Sequence, residues 1–173
     1  MAAMMRRVRL FLREFRRVDA RVGLPQGQPL TTFLSTRRSY LNLIEAVWSG
    51  DEQSSPHAVV KVEHVLWASS PDGDIPLVGA SSPTVARGVE IYVDGGFVLR
   101  GALAMGAGQR LSDYLETQGG FVPLQAAALL RTGPPPRGVN LVLGDIALNQ
   151  DAIHAVREVE TVPNGALPAV ATG

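Results

Sequence analysis

Three histidines are the side chains best suited to acid–base or metal chemistry, and they stand far apart at His57, His64 and His154. None has a second histidine four residues away, the helical spacing that a shared zinc ion needs. The sequence also lacks the Walker phosphate loop, the GxSxG serine motif and the GxGxxG dinucleotide motif. It has 0 cysteines, which excludes thiol nucleophiles and cysteine-ligated metals. The pattern predicts no enzyme, no cofactor and no metal site.

Two short segments have the composition of ligand-binding loops but lack their remaining parts. Asp72-Gly73-Asp74 has the start of a calcium loop, yet no further acidic ligand follows at the required spacing. The glycine-rich run 101–108 could approach a phosphate, yet no Lys-Ser or Lys-Thr pair follows it. We interpret the first segment as a turn and the second as a strand end followed by a turn.

Arginines dominate the start of the chain. Residues 1–38 contain nine arginines against Glu14 and Asp19, which gives +7 there and −7 over the remainder, because the whole chain has a net charge of +0. A segment with this much positive charge attracts phosphates, anionic lipid headgroups or an acidic protein face. The alternative is a solvated edge that only keeps the protein soluble. We predict that the partner-binding residues are Arg6, Arg7, Arg9, Arg13, Arg16, Arg17 and, at a strand end, Trp67. The alternative for Trp67 is a position in the hydrophobic core, which the alternation of apolar residues also fits.

An internal repeat indicates which elements carry these residues. Segment 27–36 matches segment 108–117 at an offset of 81 residues, with identical Gly, Gln, Leu, Leu and Thr. Continued without a gap, this register pairs Val60 with Leu141 and Val65 with Ile146. It also makes His64 and Asp145 equivalent positions. We interpret these two as a polar pair on an exposed strand face, with an acid–base pair across the pseudo-dyad as the alternative.

The repeat also decides between two interpretations of the N-terminus. Read alone, residues 8–15 have the spacing of a basic amphipathic membrane helix. The matching segment 89–103 instead alternates apolar and polar residues around Asp94-Gly95-Gly96, as a β-hairpin does. We therefore predict a hairpin at the N-terminus, with Val8 facing inward and the neighbouring arginines on a basic sheet edge.

The composition predicts a folded chain, because 46% of its 173 residues are hydrophobic and only 18% are charged. We predict an all-β fold, a pseudo-twofold duplicated small β-barrel or β-sandwich with one short helical turn per repeat. The proposed organisation is a first repeat over 1–68, a linker over 69–87, a second repeat over 88–160 and an extended tail over 161–173. The helical turns are expected over 30–36 and 111–117, and the third strands over 40–48 and 121–130. Segment 75–78 is expected to add an edge strand.

Segment 89–104, with its strand, Asp-Gly turn and second strand, resembles the first motif of Sm-like and related SH3-like small β-barrels, and segment 141–146 resembles the second. The chain departs from the Sm-like pattern, because it lacks an N-terminal helix and the Asp-x-x-x-Asn base-binding signature. RNA recognition is therefore not carried over. The two-copy pattern, including Leu111-Ser-Asp-Tyr-Leu115, is similar to uncharacterised small bacterial proteins. With its duplicated sheet, basic N-terminal segment and apolar tail, the chain also resembles the small membrane-extrinsic subunits that brace bacterial photosynthetic reaction-centre and light-harvesting complexes.

These observations predict a non-catalytic scaffold or interaction subunit. Arginines interrupt the first seventeen residues too often for a secretory signal, and no apolar run is long enough to cross a membrane. We expect a cytoplasmic protein, peripheral on the inner membrane, that binds an integral membrane complex such as a reaction-centre or light-harvesting complex and contacts anionic lipid headgroups. No nucleic-acid partner is expected. The alternatives are an Sm-like nucleic-acid-binding protein, and a small-ligand protein or enzyme with a pocket between the repeats.

Overall fold

The computed structural model describes residues 2–36, 39–79, 82–130 and 142–160, and within them ten strands and two short α-helices. The first repeat contains β1 (Ala3–Leu12), β2 (Arg17–Pro25), α1 (Leu30–Ser35), β3 (Tyr40–Trp48), β4 (Ser55–Lys61) and β5 (Val65–Ser69). The second contains β6 (Val85–Val93), β7 (Phe97–Met105), α2 (Leu111–Thr117), β8 (Phe121–Leu129), β9 (Val142–Asn149) and β10 (Ile153–Glu158). The expected tail over 161–173 lies outside the described residues.

Alternating burial explains why these segments are strands. In β7 every second residue from Phe97 to Met105 is buried, which places one face of the strand on a core. The N-terminal hairpin behaves likewise, since β1 and β2 pair antiparallel from Ala3 opposite Pro25 to Phe11 opposite Arg17. Val8 is buried while its neighbours in sequence are not. The predicted N-terminal hairpin is therefore confirmed, and the amphipathic-helix interpretation is wrong.

All ten strands join one antiparallel sheet in the order β10-β6-β7-β8-β9-β5-β1-β2-β3-β4. Each repeat contributes five consecutive strands, and the β5–β9 pair joins the two halves, with Trp67 opposite Leu148 and Ala68 opposite Ala147. Among the described residues, β4 pairs only with β3, and β10 pairs only with β6. The predicted all-β class is confirmed, and the sheet is not a closed barrel.

The register shows that the two repeats match at two different offsets. Through β3 and β8 the offset is 81, as the sequence indicates. Beyond that point it is 88, because β3 pairs Leu41 with Val60 while β8 pairs Val122 with Leu148. A seven-residue insertion in the second repeat, between β8 and β9, accounts for the difference. The gapless match of Val60 with Leu141 and of Val65 with Ile146 is therefore wrong, and β4 and β5 correspond to β9 and β10.

Backbone conformation confirms the duplication at positions where the side chains differ. Glu45 in β3 and Ala126 in β8 are equivalent, and both have positive φ, 53° and 48°. Each marks a bulge where the strand pairing shifts register. Gly27 and Gly108 both have φ of 75° in the turn before the helix, a conformation that glycine adopts without strain. Both repeats therefore share one backbone path through these segments.

Two hydrophobic cores lie under the two halves of the sheet. At the junction, each core also contains side chains from the other repeat. The first core contains mainly residues of β1–β5 and α1, but Phe121 and Ala147 enter it from the second repeat. The second core contains mainly residues of β6–β10, but Phe11 and Trp67 enter it from the first. Burial of these side chains ties the repeats together through the hydrophobic effect.

In the segment between the repeats, the described residues pack on the first helix without forming a strand. It runs from the end of β5 at Ser69 to the start of β6 at Val85. Ile75 is buried in the first core, and the carbonyls of Pro76 and Leu77 accept hydrogen bonds from the backbone of α1. The expected edge strand over 75–78 is therefore wrong, because its backbone satisfies the free N–H groups at the start of α1 instead.

Candidate functional site

The predicted arginine surface lies on the β1–β2 hairpin, where the arginines form ion pairs with acidic side chains. Arg6 contacts Asp74 at 2.7 Å and Arg7 contacts Asp72 at 3.0 Å, so both acids come from the segment between the repeats. Gly73 between them has a φ of 68°, in agreement with the turn interpretation. The linker thus folds back onto the start of β1 and places two carboxylates against the basic hairpin.

The remaining predicted arginines also have partners. Asp19 in β2 contacts Arg9 at 2.7 Å and Arg17 at 3.4 Å. Arg13 forms an ion pair with Asp94 of the second repeat, and its Nε donates to the carbonyl of Glu63 at 2.8 Å. The guanidinium of Arg16 lies 5.4 Å from the ring centroid of Trp48, a cation–π contact. The structure therefore brings all six arginines onto one hairpin, as expected, but compensates much of their charge locally.

The Asp74 carboxylate is held ionised by this arrangement. Partial burial acts to raise its pKa, but hydrogen bonds from Ser70 and from Arg6 outweigh that effect and set the pKa below its usual value. Ser70 Oγ lies 3.0 Å from Oδ1, and the Arg6 guanidinium reaches Oδ2. The Arg6 guanidinium therefore faces an ionised carboxylate at neutral pH.

An equivalent ion pair occurs in the second repeat with the charges exchanged. Arg9 and Asp19 correspond to Glu90 and Arg100, and the latter pair also bridges adjacent strands. Glu90 is buried and accepts a second hydrogen bond, at 2.7 Å, from Nε of Arg157 in β10. The Arg100 hydrogen bond is the main reason that the pKa of Glu90 lies below its usual range; burial opposes it and Arg157 reinforces it. Both repeats therefore have a cross-strand ion pair at this position, and the acidic and basic side chains have exchanged strands.

Trp67 is buried at the junction of the two repeats and does not lie on the surface. Only 4% of it is exposed. Its ring stacks on Phe11 with centroids 4.4 Å apart, and it meets Phe97 edge-on at 5.7 Å. A partner-binding role for Trp67 does not fit this position, because the side chain packs between two halves of the same chain.

Two of the three histidines pair with different carboxylates at separate places. His64 Nδ1 lies 3.2 Å from Glu14 Oε1, and His154 contacts Asp94. Asp145 instead accepts a hydrogen bond from the backbone N–H of Ala126, where it supports the β8 bulge. At the offset of 88, His64 corresponds to Ala152, so the proposed His64–Asp145 equivalence is wrong. The described residues contain no group of three metal-ligating side chains.

A cleft of ≈ 490 Å³ opens between the two repeats. Its walls include Tyr40, Lys61 and Glu63 from the first repeat, and Phe121 and Asp151 from the second. Lys61 Nζ lies 2.9 Å from Glu63 Oε1. Sequence reasoning anticipated a pocket between the repeats but not its residues, because their spacing along the chain carries no recognisable motif.

The fold defines a duplicated antiparallel β protein in which two five-stranded units share one open sheet. None of the helices in the described ranges is long and apolar enough to cross a membrane. Comparisons with protein-family models, with curated proteins and with solved structures give no match.

Proposed function

We propose that this chain is a non-catalytic interaction protein that joins a larger assembly as an extrinsic subunit, through the start of the β1–β2 hairpin. The observation that carries the proposal is the exposed pair Met4 and Met5, 41% and 42% accessible, directly beside Arg6 and Arg7. Methionine and arginine are both enriched in protein–protein interfaces. The flexible thioether adapts to a partner's shape, and the guanidinium supplies directional hydrogen bonds.

The charge pattern on this hairpin favours a protein partner over nucleic acid. Nucleic-acid binding depends on uncompensated basic charge that neutralises phosphates. Here Asp72 and Asp74 already neutralise Arg7 and Arg6. A protein surface of mixed charge can take over such ion pairs without a large net charge on either side. The partner we propose to test first is an integral membrane complex of the reaction-centre or light-harvesting type, at the cytoplasmic face of the inner membrane.

Gentle solubilisation of membranes from native cells, followed by native electrophoresis and mass spectrometry, tests this proposal. We expect the chain to migrate with an integral complex, to stay bound in high salt, and to be released by Met5→Asp. Val142→Asp is the matched control, because Val142 is an exposed valine of β9 that lies outside the hairpin. A chain that is never bound, or that salt alone releases, contradicts the proposal.

The cleft between the repeats supports a second candidate function, the binding of a small ligand. The observation in its favour is the Lys61–Glu63 pair beside Tyr40 in a cleft of ≈ 490 Å³, which is within the usual size of ligand sites. Mass spectrometry of small molecules released from the purified, denatured chain tests it. A compound that is bound stoichiometrically by the wild-type chain and not by Lys61→Ala would make ligand binding the primary function. The absence of any bound compound would eliminate this candidate.

A further inference from the structure

The two outer edges of the sheet correspond to the two strands that pair at its centre. Because the offset beyond β3 is 88, β10 is the counterpart of β5, and β4 is the counterpart of β9. At the centre of the sheet β5 and β9 pair with each other. At the outside, β10 and β4 pair on one side only among the described residues. The two outer edges of the sheet are thus formed by β10 and β4, the counterparts of the two strands that pair with each other at its centre.

Exposed apolar side chains on and beside the edge strands provide an independent observation, since Val59 lies in β4 while Tyr40 and Tyr92 lie in the adjacent strands β3 and β6. Tyr40, Val59 and Tyr92 are 55%, 58% and 37% exposed, although they are large hydrophobic residues in strands. Their counterparts in the other repeat are all buried at the central junction. The correspondences are Tyr40 with Phe121, Val59 with Ala147, and Tyr92 with Phe11. The edge strands and their neighbours therefore expose apolar surface at the positions that the internal junction covers.

We infer that copies of this chain associate head to tail, with the β10 edge of one chain pairing antiparallel with the β4 edge of the next, as β5 pairs with β9 within one chain. Transfer of the central register places Val156 opposite Val59, and Ala155 opposite Val60. The contact buries Tyr40, Val59 and Tyr92. Because its two surfaces differ, it is heterologous, and it produces either a closed ring or an extended filament.

Polar groups at this interface are compatible with the same register. Asn149, which donates to the carbonyl of Val65 at 2.9 Å across the central junction, corresponds to Lys61. The ammonium of Lys61 is therefore placed to donate to the equivalent carbonyl, that of Ile153 in the neighbouring chain. Continuing the register sets Glu158 opposite His57. Pro56 has no N–H and limits the pairing to the remainder of β4.

Cysteine cross-linking tests this register directly. The native chain has 0 cysteines, so that any disulfide must join the introduced residues. Opposed residues in antiparallel strands have Cα atoms ~4.5–5.5 Å apart, within disulfide range. We expect a mixture of Val59→Cys and Val156→Cys chains to form a disulfide-linked dimer that neither variant forms alone. His154→Cys in place of Val156→Cys is the out-of-register control and should react poorly. A Val59→Cys dimer that forms as readily without its partner variant overturns the head-to-tail arrangement.

Sedimentation equilibrium gives the second readout. We expect the weight-average mass of the wild-type chain to rise with concentration above 18.4 kDa. Val59→Lys should raise the Kd of association roughly tenfold or more, because it removes apolar contact area and adds a charge to the edge. Val142→Lys, at a valine that is 76% exposed, should leave it unchanged. A wild-type chain that stays at 18.4 kDa at every concentration, with no cross-link in the mixture, overturns the inference.

Discussion

The aromatic cluster at the junction of the repeats should be a main determinant of stability, and replacing Trp67 by alanine tests this. The substitution removes a 4%-exposed indole that stacks on Phe11 at 4.4 Å and meets Phe97 edge-on at 5.7 Å. Truncation of a buried tryptophan costs about 3–5 kcal/mol through lost transfer energy and the cavity left behind. Stacking of the aromatic pair accounts for about 0.5–1.5 kcal/mol of that. We therefore expect the free energy of unfolding to fall by about 3–5 kcal/mol.

The assay is urea denaturation followed by far-ultraviolet circular dichroism, which does not depend on the removed fluorophore. The chain has 2 tryptophans, so Trp48→Ala is a matched control. Trp48 is half-buried and contacts Arg16 through its ring face, and its loss should cost no more than about 1–2 kcal/mol. If Trp67→Ala is no more destabilising than Trp48→Ala, the aromatic cluster does not hold the two repeats together and this reasoning is refuted.

Three further substitutions probe contacts of the two repeats. Glu90→Gln should destabilise the protein by roughly 1–3 kcal/mol near neutral pH, because Arg100 and Arg157 lose their anionic partner. The folded-state pKa of Glu90 is lowered from 4.5, so its contribution is present above that pH and is lost as the pH falls through the folded value. Urea titrations at about pH 7 and about pH 3 should show the difference between wild type and Glu90→Gln shrink in acid, and a constant difference would contradict this. Gly101→Ala should cost about 1–3 kcal/mol in thermal melts, because its Cβ would lie 2.8 Å from the carbonyl oxygen of Gln125, whereas Gly23→Ala, with no atom nearer than 3.6 Å, should be close to neutral. Asn149→Ala should cost about 1–3 kcal/mol because the carbonyl of Val65 loses its buried donor; equal loss in the exposed Asn42→Ala control would refute this.

Local patterns in the sequence were sufficient for part of the secondary structure. The third strand was predicted over 40–48, which is the observed range of β3. The four-residue spacing of Leu111 and Leu115 predicted a helical turn over 111–117, which is the observed range of α2. The N-terminal hairpin could be predicted only by comparison with the second repeat, because residues 8–15 fit a helix equally well when read alone. These successes follow from the two periods, 2 and 3.6, that one buried face imposes on a strand and a helix.

The register beyond β3 could not be predicted from the same patterns. Strands rich in Val, Leu and Ile match one another in more than one alignment. The gapless alignment up to Ile146 therefore still paired apolar residues with apolar residues, and nothing in the sequence showed that it was wrong. Only the strand pairing, which sets Val122 against Leu148, reveals the seven-residue insertion. Alternation specifies which face of a strand is buried but not which strand lies beside it.

The charge compensation of the hairpin also depended on tertiary structure. Asp72 and Asp74 are separated from Arg7 and Arg6 by 65 and 68 residues, a distance over which sequence spacing carries no information. The same holds for Trp67, because a buried position in β5 could face either repeat's core or a partner. Its contacts with Phe11 and Phe97 decide in favour of the junction.

Native mass spectrometry of the chain, isolated from its own cells in mild detergent, tests the central claim that it acts as a subunit of a larger assembly. We expect the 18.4 kDa chain to be found within a complex that also contains an integral membrane protein, with no small molecule retained in the cleft. An isolated chain at 18.4 kDa, or one that carries a stoichiometric metabolite and no protein partner, would contradict it.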